Sequence, residues 1–234
     1  MKIKTLSTVT AFLFASSISA VNAQQLEITV TNLTQGLYYT PLLVSAHPAN
    51  MSLYTLGQPA TSALQMMAEG GDISGLSAML TTANANSTEN PASGLLAPAM
   101  STTAMLTTTD GNNYLSLVAM LLPTNDGFVG LNSWKIPTEV GTYTFTLNAY
   151  DAGTEANDEM ITGGGAPSVS GIPAAPGGDG GTGASGVTMT ETNTNVHVHP
   201  GNLGDDDLSA GKSDLSNTVH RWLNPVARVS VKVM

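Results

Sequence analysis

"TYTFTLNAY", residues 142–150, is the segment on which the fold turns. Tyr143, Phe145, Leu147 and Ala149 alternate with threonines and Asn148, the period of two that marks a strand with one packed face and one wet face. Two further runs repeat the pattern. "LEITVTNL" (26–33) sets Leu26, Ile28 and Val30 against Glu27, Thr29 and Thr31. "NPVARVSVKVM" (224–234) sets Val229, Val231 and Val233 against Arg228, Ser230 and Lys232. "NYLSLVAMLLP" (113–123) is apolar almost throughout, as for a strand buried on both faces, and stops at Pro123. "TPLLVSAH" (40–47) is a shorter strand.

The period shifts in "ATSALQMMAEGGD" (60–72), where Leu64, Met67 and Ala68 share a helical face. Thr61 or Ser62 can cap its start and Gly70-Gly71 can stop it. "DISGLSAML" (72–80) adds a helical turn or two, with Leu76, Met79 and Leu80 on one side. Residues 81–113 have little periodicity and read as loops with one weak strand. Residues 163–186 hold ten glycines and three prolines, too little apolar surface to offset their ordering entropy, and read as a flexible, replaceable surface loop. The closing strand needs partners from upstream, so this stretch is an insertion and not a linker. The whole predicts an all-β chain: one antiparallel β-sandwich over 24–234 with one or two short helices.

Residues 1–23 read as a secretory signal peptide, with Lys2 and Lys4 before "AFLFASSISAV" and a small-residue site at Val21-Asn22-Ala23. No second run of about 18 apolar residues follows, so no integral membrane segment is expected after its removal, and the product is secreted or periplasmic. Losing the two lysines takes the net charge from −10 to −12. A chain this acidic does not hold a phosphate backbone, which excludes nucleic acid and turns attention to cations. There is no cysteine, so stability rests on a core or on metal. Three glycosylation sequons begin at Asn32, Asn50 and Asn86.

Charge concentrates in "NAYDAGTEANDE" (148–159), with Asp151, Glu155, Asp158 and Glu159 in nine residues. Asp126 ends "MLLPTND" and Asp151 ends "TLNAY", so each carboxylate follows a strand, and in a sandwich such ends can converge at one edge. Two carboxylates with loop oxygens would suit a hard divalent cation; equally, each acid could cap its own turn. "VHVHPG" offers another set: His197 and His199 at i, i+2, with His220 further on, could bind zinc or copper. Asp158 and Glu159 read as solvated loop charges and Asp205-Asp206-Asp207 as an acidic turn. There is no G-x-S-x-G and no phosphate-cradling lysine motif, so no enzyme activity is expected.

"PTNDGFVGLNSW" (123–134) followed by "AYDAGTE" (149–155) resembles the spondin amino-terminal domain of F-spondin and mindin, where P-x-x-D-W-F-V-G-x-D-S precedes Y-D-A-G-T-D. "ITVTNLTQG" and "NPVARVSV" extend the resemblance towards both ends. It implies a C2-like antiparallel β-sandwich with an edge calcium site, acting in extracellular adhesion on a protein or glycan partner and not in catalysis. Asp126 and Asp151 stand at the family's ligand positions, with Asp110 the one acid near the position of a further ligand. The chain departs from the pattern in Gly127 for tryptophan, Asn132 for aspartate, and the missing cysteines.

Overall fold

In the computed structural model, which describes residues 23–166, 169–178, 180–207 and 209–234, the 142–150 run serves two sheets. The described elements, in chain order, are β1 (Gln25–Asn32), β2 (Tyr38–Tyr39), β3 (Leu43–His47), α1 (Ser62–Gly70), α2 (Ser74–Thr82), β4 (Asn86–Glu89) and β5 (Ser101–Thr107). They continue with β6 (Tyr114–Leu122), β7 (Gly127–Lys135), β8 (Gly141–Leu147), β9 (Ala149–Asp151), β10 (His197–Val198) and β11 (Ala227–Val233). β8 pairs with β11 in a four-stranded sheet of order β5-β1-β11-β8. After Asn148 the same chain becomes β9 and pairs with β7 in the second sheet, of order β10-β9-β7-β6-β3-β4, with β2 on β6. Every ladder is antiparallel. The expected all-β sandwich is what the chain forms.

The sheets close on each other through their alternating faces. Leu26, Ile28 and Val30 of β1 and Val229, Val231 and Val233 of β11 pack against Val44, Leu115, Leu117, Ala119 and Val129 of the facing sheet. A second core covers that sheet's other face, where Leu43, Val118, Met120 and Phe128 meet Leu64, Met67 and Ala68 of α1 and Leu76 and Leu80 of α2. β6 is therefore buried on both faces, which is why its sequence does not alternate. Each such side chain removed from water contributes about 1.5–3 kcal/mol. Helix α1 starts and stops as its sequence suggests: Thr61 Oγ1 accepts from Leu64 N at 3.2 Å, and Gly71 closes it in the left-handed region at φ 73°.

Two expectations need correction, and one strand carries no mark in the sequence. Residues 81–113 carry two strands, β4 and β5, whose exposed Thr- and Ser-rich faces hide the period. Strand β7 runs through "GFVGLNSWK", which polar residues and two glycines disguise. The glycine-rich stretch, of which 167, 168 and 179 lie outside the described residues, is tied to the sandwich. Ile172 and Ala184 are buried, and the backbone N–H groups of Thr182 and Ala184 donate to Asp214. The leader read at 1–23 lies, apart from Ala23, outside the described residues. The Asn32 sequon is buried, its amide donating to Leu37 O at 2.7 Å and Leu96 O at 3.2 Å.

Candidate functional site

Asp126 and Asp151 meet because the ladder brings them together. Asp126 immediately precedes β7, Asp151 ends β9, and the register pairs Gly127 with Asp151. Ala152 N donates to Asp126 O at 3.2 Å, locking the two turns side by side. Both carboxylates are fully buried. Asp126 Oδ2 accepts three hydrogen bonds, from Thr154 N at 2.7 Å, Thr154 Oγ1 at 3.1 Å and Glu155 N at 3.1 Å. Its Oδ1 is buried with no partner. Asp151 Oδ1 accepts from Gly153 N at 2.8 Å and its Oδ2 from Asn157 Nδ2 at 2.7 Å. Gly153, at φ 70°, makes the turn, and a Cβ there would stand 2.7 Å from Asn193 O.

Burial first, and then the neighbouring Asp151, pushes the Asp126 carboxyl up to about 8. Burial also raises Asp151, against the lowering effects of Asn157 and His197. Two adjacent acids out of water, one with a bare oxygen, call for a proton or a cation.

The histidines set out above as a separate set share this place. β10 adds to the sheet edge beside β9 with His197 opposite Asp151. His197 Nε2 lies 3.8 Å and His199 Nε2 4.0 Å from Asp151 Oδ2. Burial drives His199 down to about 3, so it is neutral and its contact is no ion pair. Its Nδ1 accepts from Gly201 N at 3.0 Å, which leaves the ring hydrogen on Nε2. The ring packs on Trp222, centroids 5.0 Å apart, and against Gly127, where a Cβ would meet His199 Cδ2 at 3.0 Å and Thr124 Oγ1 at 2.7 Å. The glycine that departs from the family pattern is thus the space that admits His199.

Two candidates fall outside the cluster. Asp110 is exposed in the turn before β6, whereas Asp126 follows its far end; nine strand residues, roughly 25–30 Å, lie between them. His220 is set apart in a turn, its Nδ1 accepting from Ser216 N at 3.0 Å, and its ring lines a cavity of about 390 Å³ with Asp205, Asp207 and Asp214.

Of the remaining acids of the 148–159 stretch, Glu155 and Glu159 are buried and Asp158 is half-buried. Glu155 Oε2 accepts from Gly171 N at 3.0 Å and Asn125 Nδ2 at 3.4 Å, and burial raises this carboxyl to about 7. Asp158 Oδ1 accepts from Asn125 Nδ2 at 2.8 Å and Met160 N at 3.0 Å. Glu159 is buried and accepts from Leu203 N, Gly204 N and Ser213 Oγ. No local pattern marks these roles, since their partners lie up to 54 residues away. The alternation of His197 and His199 was the one available sign that both face the same way.

Among the described residues no three His, Cys, Asp or Glu side chains already form a group fit to hold a metal ion. Calcium fits this edge in part. Asp126 and Asp151 supply charge and oxygen, and turn carbonyls and water would have to complete the shell.

Fold and edge together define an antiparallel β-sandwich module whose distinguishing chemistry is a buried pair of carboxylates at one end of a sheet. Residues 31–161, more than half of the 234, match the family model for the spondin amino-terminal domain (Spondin_N), and the chain belongs to that family. The family is one of extracellular, non-enzymatic domains. The matched span includes Asp126 and Asp151 but ends before β10 and β11. No curated protein matches the chain. No described helix is long and apolar enough to cross a membrane.

Proposed function

We propose that this chain is a secreted or periplasmic binding module, without catalytic activity, whose edge turns are ordered by a divalent cation held by Asp126 and Asp151. Calcium is the ion the two carboxylates and turn oxygens suit. The observation that carries the reading is Asp126 Oδ1, a carboxylate oxygen buried without a partner beside a second buried carboxylate. A cation there neutralises the pair and fixes the 151–157 turn and β10, leaving a shaped edge for an extracellular protein or glycan.

The test is thermal melting of chelator-stripped protein with and without calcium. A cation at about 100 times its dissociation constant contributes about 2.7 kcal/mol, roughly 5–10 °C for a domain of this size. Asp126→Asn is the sharpest variant, because its amide oxygen can take over the three bonds of Oδ2 while an NH₂ replaces the bare oxygen. It should abolish the response, as should Asp151→Asn. A parent protein whose melting ignores calcium and every other divalent ion would end the proposal.

A further inference from the structure

We infer that the edge site also accommodates a borderline transition-metal ion, with zinc as its type, through His197 Nε2 together with the Asp126 and Asp151 carboxylates that suit calcium. This rests on the cation reading above and names the ion class and an additional ligand.

The tautomers decide which imidazole is a ligand. His197 Nδ1 lies 2.9 Å from Asn195 O, and a carbonyl only accepts, so Nδ1 carries the hydrogen and Nε2 keeps its lone pair. That is the outer-shell arrangement by which a backbone carbonyl fixes a metal-binding imidazole. His199 has the opposite tautomer, with the hydrogen on a buried Nε2, so it is not a ligand. Packed on Gly127 and Trp222, it walls the site.

The separation of His197 and Asp151 agrees with an open form of such a site. A tetrahedral zinc with nitrogen and oxygen ligands at about 2.0–2.2 Å holds those atoms about 3.4 Å apart. His197 Nε2 and Asp151 Oδ2 are 3.8 Å apart, so a shift of a few tenths of an ångström closes them on an ion. The side chain of His197 is 27% exposed, which leaves it room to move and an entry route from solvent. Asp126 Oδ1, bare and buried, is the third donor, and water completes the shell. Calcium makes no use of an imidazole, whereas zinc-class ions favour nitrogen. β10, which brings the histidine, lies beyond the segment that matches the family model.

The experiment uses the chain without an affinity tag, stripped of metal. Zinc and calcium are titrated separately by calorimetry, and cobalt(II) serves as a spectroscopic probe of nitrogen ligation. The parent should bind one zinc per chain and show cobalt d–d bands. His197→Ala should weaken zinc at least tenfold and remove those bands while leaving any calcium response intact. His220→Ala should change neither, and Asp126→Asn should weaken both ions. Calcium binding without zinc binding, or parental zinc affinity in His197→Ala, overturns this inference and leaves the cation reading standing. A parent that binds neither ion overturns both.

Discussion

Glu159 shows how much a buried carboxylate can hold in place. Its two oxygens accept from Leu203 N, Gly204 N and Ser213 Oγ, joining the 151–161 turn to the loops before β11. Glu159→Ala strands three donors, and each buried unsatisfied group costs about 1–3 kcal/mol, so the expected loss is about 2–4 kcal/mol after water reaches some of them. A denaturant midpoint at the parental value would show that this carboxylate is dispensable. Gly127 is constrained by space instead of by hydrogen bonds. Alanine there would press on Thr124 Oγ1 and His199 Cδ2, backed by packed strand, and overpacking of this kind costs about 1–3 kcal/mol. Gly127→Ala should therefore lower stability and also blunt the melting response to cations, because the displaced ring carries β10 with it. Parental stability together with a full cation response would contradict the role given to His199.

Strand β8 and strand β9 are one extended run divided between two sheets at Asn148, and that crossing delivers Asp151 to Asp126. The run itself was legible, since Tyr143, Phe145 and Leu147 alternate; the crossing was not, because a strand's period is the same in either sheet. β1, β6, α1, α2 and β11 were legible because burial follows their period, on one face or on all sides. β4, β5 and β7 were hidden because their polar faces, glycines and a bulge near Leu115 break that period. Of the site, the two strand-end aspartates could be read, while the histidines' place depended on β10 finding β9 more than 40 residues upstream. The glycine-rich stretch misled for a similar reason: its few apolar and backbone groups are used one by one. Ile172 is fully buried, Gly171 N donates to Glu155, and Thr182 and Ala184 donate to Asp214. Replacing 163–186 with a short Gly/Ser linker should therefore cost about 3 kcal/mol or more, a fall of roughly 6–12 °C in melting temperature. Ile172→Ala alone should cost about 2–4 kcal/mol. A linker variant melting within 2 °C or so of the parent would show that these ties contribute nothing.

The stability of the cation-free domain against pH follows from buried groups whose shifts oppose each other: Asp126, with Asp151 and Glu155 also raised by burial, against His199. His199 is held down to about 3 from an ordinary value near 6.5, by burial above all. A depressed folded value means that the unfolded chain takes up the proton first, so stability is lost as pH falls from about 6.5 towards 3. Asp126 is raised from 3.8 to about 8 by burial and Asp151. Here the folded chain keeps the proton that the unfolded chain gives up, so stability is lost as pH rises from about 4 to 8. Between about 4 and 6.5 the opposing slopes offset each other; above that window the raised carboxyls act without His199, and below it His199 acts without them. In chelator, the melting temperature should therefore be broadly level from pH 4.5 to 6.5, fall on the acid side, and fall again between pH 6.5 and 8. A bound cation takes the place of the Asp126 proton, so saturating calcium or zinc should flatten the alkaline limb while leaving the acid limb in place. Asp126→Asn should shrink the alkaline limb with no cation present, since its side chain does not ionise, and leave the smaller part due to Glu155 and Asp151. Melting profiles of parent and variant at six pH values, each with chelator and with excess cation, test every part of this. An alkaline limb undiminished in Asp126→Asn, or unmoved by cation in the parent, would place the titrating group elsewhere and remove the electrostatic reason for a cation at this edge.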